Sequence, residues 1–345
     1  VTAADGILIV IGAGAIAYTL LGGADFGGGV WDLFAHGRRG GEQRTLIAST
    51  MGPVWEANHV WLVFVLIGLF SGFPTAFGAL CRLLAVPLAV ALLGIVLRGG
   101  AFVFRQYGGG FADGADRAAG AAGAERATAP DPAGPAVRGT AAWGRVFAIA
   151  SALTPAALGY CAGAVATGRL GGPFPLVAAA LAFTFCAYLA AVYLCREAEL
   201  RARPALVRDF RARALLAAVV AGALATTAPA VLAHDAPALA DRLWQRAGWL
   251  VGLSVLSGLS SLGALLTGRF RVARALSALA VASVLAGWGA AAYPYLVPPG
   301  LTVTAAAGPP QTLPVILAVL VAGFAVTVPS LLLLFRVFGS PEPGR

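Results

Sequence analysis

Pro53-Val54-Trp55-Glu56-Ala57-Asn58-His59-Val60-Trp61-Leu62 opens an apolar run that continues to Phe73. The run is long enough to cross a bilayer, and at its head a carboxylate, an amide and an imidazole fall within one helical turn. Polar side chains are costly there. An ionised group deep in hydrocarbon costs at least ~3 kcal/mol on the most lenient insertion scale, so Glu56 is expected to be paired, protonated or facing a wet cavity.

The same apolar pattern recurs along the whole chain. Of the 345 residues 59% are apolar and 11% charged, and the mean hydropathy is +0.84. Such a composition marks an integral membrane protein. A helix of roughly 20 residues crosses about 30 Å of hydrocarbon, and on that measure nine spans are expected, at 6–24, 54–73, 76–97, 146–167, 174–195, 213–234, 247–267, 273–294 and 313–337. The chain therefore reads as an all-α, single polytopic membrane domain over residues 1–345. Residues 108–140, rich in Gly, Ala, Pro and charge, carry too little apolar surface to fold alone and read as a flexible cytoplasmic linker within it.

The net charge of +9 comes with 24 basic residues, all of them Arg, and their placement explains it. All but Arg82, Arg169, Arg242 and Arg246 fall in or beside alternate loops. These are the loops after spans one, three, five and seven and the C-terminal end. By the positive-inside rule the N-terminus is outside and the C-terminus cytoplasmic. Orientation thus accounts for the basic charge, and no nucleic-acid partner is implied. The stretch from Arg196 to Arg213, with Glu197 and Glu199 four residues ahead of Arg201 and Arg203, reads as a solvated extension of span five beside the lipid headgroups. Span one lacks a basic leader and a small-residue cleavage site, and is expected to be retained rather than cleaved as a signal peptide.

Of the 15 acidic residues, only Asp25 and Glu56 stand at the ends of strongly apolar spans in a way that suggests burial. Span one runs inward and ends at Asp25; span two starts inside at Glu56; span three ends inside with Arg98 and Arg105. Connectivity alone brings two carboxylates, two guanidinium groups, Asn58 and His59 to one cytoplasmic level. Burial and a neighbouring guanidinium act in opposite directions on a carboxyl group's hold on its proton, which suits a proton-accepting site. His59, three residues beyond Glu56, shares its helix face and could relay or orient. The bland alternative is that Asp25, followed by Gly27-Gly28-Gly29, ends its helix in a tight turn and that Glu56 is a first-turn acid tied to Arg98. Trp55 and Trp61 read as packing residues at the membrane boundary.

Other chemistry is thinly supported. Cys81, Cys161, Cys186 and Cys195 fall in or beside apolar spans without C-x-x-C spacing, so packing roles are expected. The chain has His36, His59 and His234 and a single Met, Met51, a poor supply of axial ligands for haem. No nucleotide-binding or nucleophile-elbow pattern occurs in a suitable context.

Gly23-Ala24-Asp25-Phe26-Gly27-Gly28-Gly29, the Pro53–Leu62 stretch with Phe70-Ser71-Gly72-Phe73-Pro74, and Leu97-Arg98-Gly99-Gly100-Ala101-Phe102-Val103-Phe104-Arg105 together resemble subunit II of the cytochrome bd quinol oxidases. The motifs lie in the first third; span count, orientation and length fit that family along nearly the whole chain. The resemblance implies two four-helix bundles plus one peripheral helix. It also implies a multi-pass subunit of the cell inner (plasma) membrane that binds no haem itself and pairs with a subunit I bearing haem b and haem d. The pair would oxidise quinol and reduce dioxygen to water. The family roles of the two acids, a proton path toward the haems, would fall to Asp25 and Glu56, with Trp55, Asn58, His59, Trp61, Arg98 and Arg105 as the supporting polar cluster. Some members have Asp where this chain has Glu56. A structural quinone, which some members hold in this subunit, and a small accessory subunit are compatible with the resemblance. The reading from a different class is a proton-coupled secondary transporter, although transporters place their sites at the midplane on broken helices. A third is a scaffold that only stabilises the haem subunit.

Overall fold

The computed structural model describes the backbone of residues 2–51, 55–120 and 135–338, and the side chains of residues 2–51, 58–104 and 142–334. The first helix, α1 (Ala3–Leu33), starts on a capping box in which Thr2 and Asp5 satisfy each other's orphan backbone groups. It continues well past the point expected from the sequence. Gly27, Gly28 and Gly29 do not end it: they are a contact surface inside it. A Cβ at Gly27 would lie 1.9 Å from the carbonyl oxygen of Cys186, and one at Gly29 would lie 2.1 Å from Ser151 Oγ. Only hydrogen fits where the neighbouring backbones come this close.

After α1 comes an unexpected helix, α2 (Gly40–Met51). It is too polar to count as a span, and its buried side chains Gln43, Leu46, Ile47, Thr50 and Met51 face the bundle. The second expected span is α3 (Trp55–Gly72). At Phe73-Pro74 the chain turns by 118° into a short helix, α4 (Pro74–Leu83). Proline at the first helical position suits a helix start and keeps the residue before it out of the α region, so the break is written in that dipeptide. The third span accordingly differs from the expected 76–97: it begins at Ala85 and belongs to α5 (Ala85–Gly120). The expected linker overlaps the end of α5 and the start of α6 (Pro135–Thr167); residues 121–134 lie outside the described residues.

The remaining spans follow closely as α7 (Pro173–Leu200), α8 (Pro204–Asp235), α9 (Pro237–Leu266), α10 (Phe270–Ala292) and α12 (Leu313–Phe338). Pro173, Pro204 and Pro237 each sit at the first turn, where a missing N–H costs nothing. The Arg196–Arg213 stretch is not one extension of its helix. α7 stops at Leu200, Ala202 turns with φ of 51°, and α8 carries Arg208, Arg211 and Arg213. Glu197 reaches Arg201 at 4.0 Å as the spacing suggested, while Glu199 pairs backward with Arg196. Between α10 and α12 a two-stranded antiparallel ribbon, β1 (Tyr295–Val297) and β2 (Leu301–Thr302), leads into the single turn of α11 (Val303–Ala306).

Among the described residues eight helices are long and apolar enough to cross a membrane, or nine if the bent α3–α4 pair counts as one span. α7 is the central helix, buried almost continuously from Ala187 to Cys195, with α1, α6, α8 and α10 around it. Large apolar side chains of α3, α5, α8, α9 and α12 point outward, among them Ile67, Leu92, Leu216, Leu256 and Val319. A bilayer tolerates such a surface.

Candidate functional site: a buried ion pair beside a cavity

Because α1 runs on through its glycines, Asp25 lies inside the bundle, with about 12 Å of helix beyond it. Its partner comes from α5. Arg98 Nη2 donates to Asp25 Oδ1 at 2.7 Å, and both side chains are almost fully enclosed, at 3% and 4% exposure. Arg98 Nε donates to Ser151 Oγ on α6 at 3.0 Å, and that hydroxyl donates in turn to the Phe147 carbonyl at 2.7 Å. The guanidinium is sandwiched between the rings of Phe26 and Phe147, 4.9 and 5.0 Å from their centroids. Three helices thus meet on one cation. Gly29 is what lets Ser151 stand close enough to hold it.

A buried pair of this kind is no gift to stability, since desolvating two ions offsets most of their attraction. Its persistence inside an apolar bundle points to use. Asp25 Oδ2 has no hydrogen-bond partner among the described residues, and Asp25 and Arg98 both line a cavity of about 420 Å³. The cavity extends past Asp32 to Arg44, Thr45 and Ser49 on α2.

Of the six residues expected beside these acids, Arg98 joins Asp25 while the other described ones stand apart from the pair. Asn58 is buried, and its Nδ2 donates to the Leu21 carbonyl at 3.3 Å, one turn before Asp25 on α1. His59 stands edge-on to Tyr18 and Phe26, at 6.2 and 6.3 Å between ring centroids. Phe26 therefore touches both His59 and Arg98 and divides the two polar groups. Trp61 is 3% exposed and packs on Phe64 and Phe324, a packing role as expected, though in the interior rather than at a membrane boundary. The side chains of Trp55, Glu56 and Arg105 lie outside the described residues; the backbone of Trp55 and Glu56 forms the first turn of α3. Asp25 is seen on Arg98, and it does not end its helix.

One acid was passed over. Asp32 was counted with the loop residues, yet it is 4% exposed in the last turn of α1 and lines the same cavity. Its spacing of seven residues from Asp25, two turns on one helix face, is the signal that could have found it. Ending the helix at the glycines hid that periodicity.

The cavity's outer wall, α2, is clamped by arginines whose charge had been assigned to orientation alone. Arg39 pairs with Asp209 of α8 through two bonds of 2.6 and 2.9 Å, and Gln43 donates to the same carboxylate at 2.9 Å. That carboxylate holds the Arg39 pKa above its ordinary value. Arg213 donates to Gln43 Oε1 and the Phe34 carbonyl while its guanidinium lies over Trp31 and Phe210. Arg201 of the α7–α8 turn reaches Ser49 and Thr50. Among the described residues no group of three or more His, Cys, Asp or Glu is placed to hold a metal ion.

A family model for cytochrome bd terminal oxidase subunit II matches residues 5–124 and 133–338, nearly the whole chain. This chain belongs to that family. The chain is therefore a multi-pass membrane protein, and the resemblance drawn from its motifs is borne out. It is 37% identical over 90 residues to a cytochrome bd ubiquinol oxidase subunit 2 of Bacillus subtilis, and 30% identical over 87 residues to a putative cytochrome bd menaquinol oxidase subunit II of the same organism. Those matches span about a quarter of the curated relatives, 26% and 25% of their lengths. In three dimensions subunit II is similar to a chain of the bd oxidase from Geobacillus thermodenitrificans, with a TM-score of 0.73 over 97% of this chain and 98% of that one at 21% identity. The fold is shared along its full length.

Proposed function

We propose that this subunit II works in a bd-type terminal quinol oxidase, paired with a haem-bearing subunit I that oxidises quinol and reduces dioxygen to water. In that complex it feeds protons from the cytoplasm. The N-terminus is outside and the C-terminus cytoplasmic, as the arginine distribution favours, and the bent α3–α4 pair makes the ninth span of two four-helix bundles with one peripheral helix. The cavity then opens on the cytoplasmic side, beside α2.

The observation that carries this reading is Asp25, buried with one oxygen on Arg98 and the other unpartnered, lining a cavity that extends to α2. A carboxylate so held is protected from lipid yet reachable by water, which a proton carrier requires. Asp25 and Glu56 are the two carriers; Asn58, His59 and Arg98 order the groups around them. When bound in the complex, the haems supply the electron transfer and oxygen chemistry. Among the described residues Met51 packs on Gly28 and His59 stands edge-on to Tyr18 and Phe26, which supports a chain that binds no haem itself. The b and d haems are accordingly assigned to subunit I. Family membership does not favour the transporter alternative.

Glu56→Gln and Asp25→Asn complexes test the reading. Each is expected to retain haem absorbance co-eluting with both subunits while oxygen consumption falls. Wild-type turnover in both variants would remove the acids from the mechanism, and a colourless solitary chain would remove the oxidase.

A further inference from the structure

The cavity wall holds a second buried acid that the proton feed does not yet use. Asp32 and Asp25 both line the 420 Å³ space, at 4% and 3% exposure, and its far side reaches the exposed Arg44, Thr45 and Ser49 of α2. Seven residues of helix separate the acids by about 10.5 Å along the axis. That is too far for a direct jump between carboxyl groups and a short distance for a chain of waters. A cavity of this volume has room for several waters, and Asp25, Asp32, Arg44 and Arg98 in its wall give them polar partners; Asp25 Oδ2 has no partner among the described residues. Arg44, at the outer end, is anchored by donating to the Ala35 carbonyl at 2.6 Å.

We propose that Asp32 is the outer of two proton-carrying carboxylates on α1, taking protons from solvent at the α2 side and passing them through cavity water to Asp25. The inference rests on the proton-feed reading above. Each hop breaks one O–H bond and forms another. A hydronium ion gives its proton to the Asp32 carboxylate, cavity water takes that proton on, and it arrives at Asp25 Oδ2 with Asp32 again a carboxylate. No electrons move in this chain. Among the described residues, the charged groups that share the lining with Asp32 are Asp25 of α1, Arg44 of α2 and Arg98 of α5, while α6 contributes Phe147.

The test uses the complete oxidase complex carrying Asp32→Asn, Asp32→Glu, or Ala48→Trp, with oxygen consumption measured from pH 6 to pH 8 in H2O and D2O. Ala48 is exposed and lines the cavity from α2, so Trp there narrows it while leaving both acids in the sequence. Asp32→Asn is expected to slow turnover roughly tenfold at pH 8, the ~1.4 kcal/mol that separates one decade of rate. At pH 6, where hydronium is more abundant, its rate should approach wild type; Asp32→Glu should restore most of the activity, and the solvent isotope effect should rise in Asp32→Asn. Ala48→Trp is expected to reproduce the loss at high pH, which keeps the proposal testable if Asp32→Asn fails to assemble. A pH-independent loss, or full turnover at pH 8 in an assembled Asp32→Asn or Ala48→Trp complex, overturns the role of Asp32. If Asp25→Asn and Glu56→Gln still slow the enzyme in that case, the proton feed stands without Asp32. If they are inert as well, the feed itself falls.

Discussion

Replacing Arg98 by Met removes the cation and leaves a flexible apolar stem between Phe26 and Phe147, so the loss is mainly electrostatic. Among the described residues Asp25 would then be a carboxylate at 3% exposure with neither oxygen bonded to a side chain, since Arg98 is the side-chain partner of Oδ1 and Oδ2 has none. Breaking a buried pair from one side costs about 3–5 kcal/mol, whereas removing both charges is often close to neutral. Arg98→Met and Asp25→Asn are each expected to lose stability in that range. The double variant should be no worse than either single, a coupling of about 3 kcal/mol. The buried thiols of Cys186 and Cys195, at 5% and 0% exposure, report unfolding. The detergent-solubilised complex is heated stepwise with an alkylating reagent, and the labelled fraction of each cysteine is read by peptide mass. Single variants should label at markedly lower temperature than wild type, and the double variant no lower than either single. Losses that simply add in the double variant would refute the ion-pair account.

Gly27→Ala should be worse than its single methyl suggests. The new Cβ would meet the Cys186 carbonyl at 1.9 Å and force α1 and α7 apart, at about 1–3 kcal/mol or more, and unchanged cysteine protection would contradict the close approach. Trp31→Phe removes the 2.8 Å bond from the indole N–H to the Ala187 carbonyl, which keeps its helical bond within α7, an expected loss of about 0.5–1.5 kcal/mol in the same assay. Asp209→Asn should cost under about 1 kcal/mol, because Arg39 is 45% exposed and water screens the pair; a larger loss would mean that the α2 clamp is more than a surface contact.

Most of the architecture was legible because bilayer thickness sets a length, and apolar runs of that length are hard to mistake. What escaped had local causes. Gly27-Gly28-Gly29 carries the composition of a helix end, and only the position of α6 and α7 reveals it as a packing groove. α2 was invisible to a hydropathy reading because its sequence, Gly-Gly-Glu-Gln-Arg-Thr-Leu-Ile-Ala-Ser-Thr-Met, buries one side against the bundle and leaves the other exposed. The Phe73-Pro74 break was legible, but the short helix after it was merged into the third span. In the site, Asp25 and Arg98 were legible as a pair of levels; that they would bond to each other, with Ser151 as third member, depends on α6, which shares no motif with them. Asp32 was missed as a direct result of the misplaced end of α1.

The Asp25–Arg98 pair also has a consequence for synthesis. The two residues are 73 positions apart in the chain, so a ribosome delivers the acid of α1 to the insertion machinery well before its cation exists. Until Arg98 emerges, the first helix carries a group that lipid rejects by at least ~3 kcal/mol. Its release into the bilayer is thereby tied to the arrival of α5, and nascent chains cut short of Arg98 should linger at the translocon, where crosslinking to its subunits would find them.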